Sequence, residues 1–309
     1  MYAELKASSA RRQFKSLLGQ TNHYLITLLV GLDSVRDGTA RISPTFSTSW
    51  NPKSTEVSAL RSREFVIKAT LSWAIDALDA YLGFCHRRPT LYQDKELSDR
   101  AGAAGQKVKE RFLVLKEHAA ETGGLPYECI SALTELAIQW RNNVIHHFAQ
   151  NQISDDVRTI LLNNSRFFLA TFRSLDVQEL LNQFDANRPP RFKEVTSIVS
   201  CIHKFVELSD GFLIGQLNVE LHLIDCIDFH LRDQTPDRIA HLYNLSSERR
   251  INSLVQTASN FGFSFSDVPS ATREFVKVIE ILAGLKFAEA IRFFQKESLD
   301  EKRNFLREH

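Results

Sequence analysis

At 309 residues, 43% hydrophobic and 24% charged, the chain has the composition of a folded globular protein and not of a disordered one. Its formal net charge of +1, with neither the part before Pro190 nor the part after it strongly basic, excludes polynucleotide binding by bulk electrostatics; any nucleic-acid function has to come from a local site. Twelve Gly and eight Pro are few for this length and 22 Phe are many, which fits long helices with aromatic packing better than a turn-rich β fold.

In chain order, residues 2–33 carry apolar side chains at helical spacing (Phe14, Leu17, Leu18, Tyr24, Leu25, Leu28, Leu29), which predicts helix there. Residues 38–57 are rich in Ser, Thr and Pro without a sustained period and read as a loop. A strong helix is predicted over 59–85, where Leu60, Phe65, Leu71, Ile75, Leu78 and Leu82 make a broad apolar face that ends at Arg87-Arg88-Pro89-Thr90. The next spans 95–120, weakened by Gly102 and Gly105, and Gly123-Gly124-Leu125-Pro126 is the sharpest stop in the chain. Helices over 127–150 and 154–184 follow, and then the break Asn187-Arg188-Pro189-Pro190. Beyond it, helices are predicted over 192–208, 212–231, 236–244, 247–259 and 270–306. Thr235 before Pro236 and the pair Ser246-Ser247 read as N-caps, and 261–270 is the one place where a short strand fits. The reading is all-α: a helical bundle over 1–188 with its core at about 59–184, and a helical accessory region over 191–309.

Cys85, Cys129, Cys201 and Cys226 are far apart and form no C-x-x-C, the pattern of buried reduced thiols in a cytosolic protein. The N-terminal segment lacks an apolar stretch followed by a cleavage site, and the run Leu25–Leu32 is too short to cross a bilayer. Both features predict a cytoplasmic chain without membrane contact.

The chemistry concentrates in Gln139-Trp140-Arg141-Asn142-Asn143-Val144-Ile145-His146-His147-Phe148. On a helical wheel with Arg141 at zero, Leu133, Leu136, Ala137, Trp140 and Val144 form the core stripe. Asn142 and His146, four apart, stack on a polar face flanked by Arg141, whereas His147 falls inside the core stripe and reads as a buried, hydrogen-bonded histidine. This pattern suits RNA cleavage. Attack of a ribose 2′-hydroxyl on its own phosphodiester needs a base that works near neutral pH, for which imidazole is the natural side chain. Negative charge then gathers on phosphoryl oxygens, where a guanidinium fork can hold two of them. Ile138 and Ile145 fall on the face away from the core stripe, beside Arg141 and Asn142, which predicts a helix that pairs with its own copy across a two-fold axis; the alternative is that C-terminal helices of the same chain cover the patch.

Arg141-Asn142-Asn143-Val144-Ile145-His146 resembles the R-N-x-x-x-H form of the motif of the HEPN superfamily (higher eukaryotes and prokaryotes nucleotide-binding domain). The resemblance covers about residues 59–184, an all-α stretch with the motif inside a late helix. It implies a metal-independent endoribonuclease of toxin–antitoxin or anti-phage defence systems, acting on RNA as a homodimer whose two motif copies build one cleft. It implies Arg141 and His146 as catalytic residues with Asn142 in support, no metal and no cofactor, and an antitoxin or defence-system protein as partner. Asp76 and Asp79 in the helix over 59–85 are candidates for the acidic residue that some members add. One departure is Phe148, where the subfamily silenced by tyrosine modification carries Tyr two residues after the motif His. The competing expectation is a HEPN-like helical module that binds nucleotide, RNA or a partner protein without cleaving.

Weaker constellations lie elsewhere. His222, Cys226 and His230 share one helix face at a spacing that can begin a zinc site, but it is also the spacing of a semi-buried face. Arg11-Arg12 and Arg87-Arg88 read as solvated helix ends, or as RNA guides if they lie near the cleft. No P-loop, Gly-rich dinucleotide turn or G-x-S-x-G elbow occurs.

Overall fold

The long apolar runs do form helices, and the fold is all-α, with 76% of the chain helical. The structure is a computed structural model that describes residues 2–43, 45, 49–146, 149–172, 174–233, 237–266 and 274–309. After a strand β1 (Tyr2–Leu5) come α1 (Ser9–Leu18), α2 (Thr21–Arg36), α3 (Thr55–His86), α4 (Lys95–Ala103) and α5 (Val108–Ile145). Then follow α6 (Asp155–Asn163), α7 (Ser165–Thr171), α8 (Val177–Asp185), α9 (Phe192–Gln216) and α10 (Val219–Asp228), the last running into a π-helical turn at Phe229–Asp233. The chain ends with α11 (Arg238–Tyr243), α12 (Ser247–Asn260), β2 (Phe263–Ser266), α13 (Glu274–Gly284), α14 (Phe287–Gln295) and α15 (Leu299–Arg307). Among the described residues no helix is long and apolar enough to cross a membrane.

Several elements depart from their sequence reading. The helix expected over 95–120 is divided between α4 and α5, that over 154–184 is three helices, α6 to α8, and the stretch from Glu274 is likewise three, α13 to α15. Helix α9 runs on to Gln216 and α10 starts only at Val219. Short breaks at capping residues such as Asp176, Asn218 and Ser298 leave the apolar period nearly unbroken. Residues 2–5 are not helix but β1, antiparallel to β2 with Leu5 opposite Phe263. The chain enters β2 through Gly262 at φ +107, where a Cβ would stand 2.0 Å from the Ala7 carbonyl oxygen, so only glycine fits. The Gly123-Gly124-Leu125-Pro126 signal does end a helix: Gly124, at φ 58, ψ −169, divides α5 into two helices, and the second starts through Pro126, whose missing N–H costs nothing in a first turn. The two fold back on each other, so that Lys116 of the first meets Glu135 of the second at 2.7 Å. Finally, α5 ends at Ile145 rather than near 150. Ser246 does sit at an N-cap, without a side-chain hydrogen bond, and Thr235 lies outside the described residues.

The chain makes two compact units that alternate along the sequence: one from Phe14–Ala80 and Gln106–Leu208, the other from Met1–Gln13, Tyr81–Gly105 and Ser209–His309. The break at 187–190, which the sequence suggests as a boundary, falls inside the first of these. There the Trp140 indole N–H donates to the Arg188 carbonyl at 2.9 Å, and the Ser197 hydroxyl to that of Phe172, so the chain on both sides of the break packs on one core.

In that first unit α5 is the central helix. Every residue from Ser131 to Trp140 is buried, together with Phe112, Leu115 and Tyr127 from its earlier turns. Around it pack Leu71, Ile75 and Leu78 of α3, Leu161 of α6, Leu180 and Phe184 of α8, and Ile198, Ile202 and Phe205 of α9. The Phe205 ring lies 5.0 Å from Phe112 and 5.8 Å from Tyr127. Each such side chain contributes about 1.5–3 kcal/mol by leaving water.

In the other unit the core holds charge. Asp228 and Lys302 are fully buried. Asp228 accepts from Arg88 at 2.5 Å and lies 3.4 Å from the Lys302 ammonium, while Arg88 also donates to Asp225 at 2.7 Å. His222 of α10 is buried nearby in sequence, and burial lowers its pKa to about 4. The unfolded chain therefore takes up the His222 proton first as pH falls through 6.5, and stability drops until about pH 4, below which both states are protonated. The expected difference is roughly 3 kcal/mol. Urea unfolding at pH 7 and pH 4 should show a loss in the wild type larger by about this amount than in His222→Leu; equal losses in both would refute it.

Candidate functional site

The motif leaves the core on the last turn of α5. Trp140 is fully buried, Arg141 and Asn142 are half-buried, Asn143 is buried, and Ile145 and His146 are exposed. The Arg141 guanidinium is held from two sides: Nη2 donates to Asp76 Oδ1 of α3 at 2.9 Å and Nη1 to Asn142 Oδ1 at 3.2 Å. Its Nε–H is buried and meets no acceptor among the described residues.

Asp76 and Asp79 are three residues apart on α3 and so share a face. They take different cations from the two ends of α5. Asp76 pairs with Arg141, and Asp79 with Arg111 from its first turn. Burial pushes the Asp79 carboxyl above the usual range, Arg111 pulls it down, and the neighbouring Asp76 charge adds to the rise. Sequence reasoning named both aspartates but had no way to name Arg111, thirty residues before the motif.

His146 stands differently from its wheel position. It is the C-cap of α5, with φ −105 and ψ 107, so its side chain does not follow the helical direction that placed it above Asn142. Its backbone N–H still donates to the Asn142 carbonyl at 3.0 Å, which keeps it one turn from Asn142, and its own carbonyl accepts from Ala149. His147 and Phe148 lie outside the described residues.

The residue missed entirely is Asn143. Its amide donates to the Asn151 carbonyl at 2.9 Å, while its Oδ1 accepts from the Asn151 N–H at 2.7 Å and from the Asn151 side chain at 3.0 Å. It thus ties the loop after α5 back onto the helix. The visible signal was a second Asn beside the motif Asn, with a further Asn at 151.

The proposed isoleucine patch does not survive. Ile138 is fully buried, because α5 at that level is wrapped on all sides and has no solvent face; Ile145 alone is exposed, at 45%. The remaining motifs lie in the other unit. His222 Nε2 is 3.6 Å from Cys226 Sγ, and His230 stacks its ring nitrogens on Arg238. Among the described residues no group of three or more His, Cys, Asp or Glu is placed to hold a metal. Arg12, Arg87 and Arg88 are exposed, as the sequence suggests, but Arg88 is paired with Asp225 and Asp228 and Arg12 donates to the Ser259 carbonyl. No family model, curated protein or solved structure matches the chain.

The burial contrast is directly measurable. Ile138→Ala should lower the stability by about 2–5 kcal/mol in chemical denaturation, as a cavity in a packed core does. Ile145→Ala should stay within about 0.5 kcal/mol of the parent. Equal costs at the two positions would show that the last turns of α5 are packed otherwise than described.

Proposed function

We propose that the chain is a metal-independent endoribonuclease of the HEPN type, a toxin or anti-phage defence component acting in the cytoplasm. One arrangement supports the reading: a guanidinium fixed by Asp76 and Asn142, one turn before an exposed imidazole at the end of a rigid helix. In this mechanism the ribose 2′-hydroxyl attacks its own phosphorus and His146 takes the hydroxyl proton. The bond from phosphorus to the 5′-oxygen breaks, and that oxygen is protonated as it leaves. Arg141 faces the phosphoryl oxygens as charge gathers on them. The products are a 2′,3′-cyclic phosphate and a 5′-hydroxyl.

A symmetric pair of chains completes the cleft in this reading. Ile138 has no part in that pairing. Ile145 stays exposed beside the motif, and α3 exposes Val57, Leu60, Phe65 and Trp73 along the turns before Asp76. An antitoxin or defence-system protein is the expected further partner.

One observation favours the second reading, a helical module that binds nucleotide, RNA or a partner protein without cleaving. The His146 imidazole meets no group among the described residues that would orient it, while Arg141 is already neutralised by Asp76.

The deciding experiment is incubation of the purified chain with total RNA in excess chelator. Arg141→Ala and His146→Ala should each reduce cleavage by roughly 10²–10⁴-fold with the fold intact. A 2′-deoxy sugar at the scissile position should block cutting. Cleavage of DNA, or loss of activity in chelator, would overturn the mechanism; RNA binding without cleavage by the wild type would leave the binding module. Sedimentation tests the pairing: Phe65→Asp should give a folded, inactive monomer, and a wild type that is monomeric at micromolar concentration yet active would refute the composite cleft.

A further inference from the structure

On another flank of the same last turn of α5 lies a cleft of about 470 Å³, a size ordinary for a small-molecule site. Its walls are mostly carboxamides: Asn143 from the helix, Gln150, Asn151 and Gln152 from the loop after it, and Asn187 beyond α8. The three hydrogen bonds between Asn143 and Asn151 fix one wall in place. Among the described residues the side chains of Gln150, Gln152 and Asn187 meet no hydrogen-bond partner. Each amide offers one acceptor and two donors in a plane.

The charged residues of the cleft cancel. Arg158 of α6 donates to the two oxygens of Asp185 at 3.0 and 2.7 Å, a parallel fork that leaves the lining with no net charge. Phe184 supplies the apolar floor and is backed by Trp140, with ring centroids 6.0 Å apart. A cleft with these walls does not select an anion or a metal ion. It suits a neutral, flat ligand with donors and acceptors along one edge, and a nucleobase has that description.

We propose that this cleft binds an unpaired nucleobase of single-stranded RNA, read along its hydrogen-bonding edge by Gln150 and Gln152. The RNA source of the base rests on the ribonuclease reading; the pocket chemistry does not. Asn143 is the neighbour of Asn142 in the motif, so the base pocket and the proposed cleavage site share one rigid turn of helix, and base choice at the pocket becomes sequence preference in the RNA cut.

The test uses the full chain as His146→Ala, so that bound RNA is not consumed. Fluorescence anisotropy with four labelled single-stranded RNAs of about ten nucleotides, differing in one central base, should show a preference of roughly fivefold or more for one base. Gln150→Ala with Gln152→Ala, both exposed positions, should erase that preference without changing the thermal midpoint. Equal affinity for all four RNAs with no binding of any free nucleoside, or a preference that survives the double variant, overturns the pocket. Calorimetry with the four free nucleosides separates the sources: tight binding of a nucleoside with no base preference among the RNAs overturns the RNA assignment. Cleavage by the wild-type chain is scored on the same RNAs. Base-selective binding without cleavage upholds the pocket and sinks the ribonuclease reading, and cleavage indifferent to the central base and to the double variant does the reverse.

Discussion

A helix buried on every side is the constraint from which the motif-bearing unit is built. Between Ser131 and Trp140, α5 has no solvent face, yet it carries Ser131, Thr134, Glu135 and Gln139. A charge in such a place is costly without a partner, and Glu135 has one in Lys116 at 2.7 Å. Thr134 turns its hydroxyl onto the Ile130 carbonyl one turn back, at 2.8 Å. Both partners lie in α5 itself; the wrapping helices fix it by apolar packing, and Cys201 of α9 adds a polar contact, its Sγ–H donating to the Ile130 carbonyl at 3.3 Å. Whatever leaves the last turn inherits that rigidity, and the Trp140 indole, bonded to the Arg188 carbonyl, pins the turn itself. Sites built on such elements hold their geometry better than sites on loops.

The same wrapping explains where sequence reasoning succeeded and where it failed. The existence of α3, α5 and the helices after Pro190 was legible because their apolar positions recur at helical spacing. The placement of Ile138 was not, because a wheel assumes that a helix has a wet side. Strand β1 was invisible for a different reason: its partner β2 is some 260 residues away, and a local period cannot report a non-local pairing. The Gly-Gly-Leu-Pro stop was legible, because glycine at positive φ followed by proline ends one helix and starts the next. How far the second helix folds back on the first, enough for Lys116 to meet Glu135, was not.

At the candidate site, residue types were legible and partnerships were not. Arg141, Asn142, Asp76 and Asp79 could be named from the sequence, but which aspartate meets which arginine depends on the turn at Gly124, which brings Arg111 and Arg141 from the two halves of α5 to neighbouring positions on α3. His146 was readable as exposed, whereas its place at a C-cap was hidden by the assumption that the helix continued to 150. Asn143 shows the limit most clearly. Its role is a set of hydrogen bonds to backbone eight residues on, and no period or motif encodes that.

The two arginine–aspartate pairs differ in a way that bears on which cation meets an anion. Arg111 is 15% exposed and Asp79 35%, and burial is the main influence on the Asp79 carboxyl, so separating that pair would strand charge in a poorly solvated place. Arg141 is 25% exposed and its partner Asp76 58%. A pair this open is worth little, about 0–1 kcal/mol, because water solvates the carboxylate well once the cation leaves it. A phosphate offers a guanidinium two parallel charge-assisted hydrogen bonds in exchange. In the proposed ribonuclease, Asp76 orients the Arg141 fork while no anion is near and gives it up at small cost to a phosphate, with Asn142 Oδ1 on the other side of the fork. Arg111 has no such exchange open to it. For the proposed ribonuclease, the asymmetry in exposure, more than the motif spacing, favours Arg141 over Arg111 as the cation that faces the phosphoryl group.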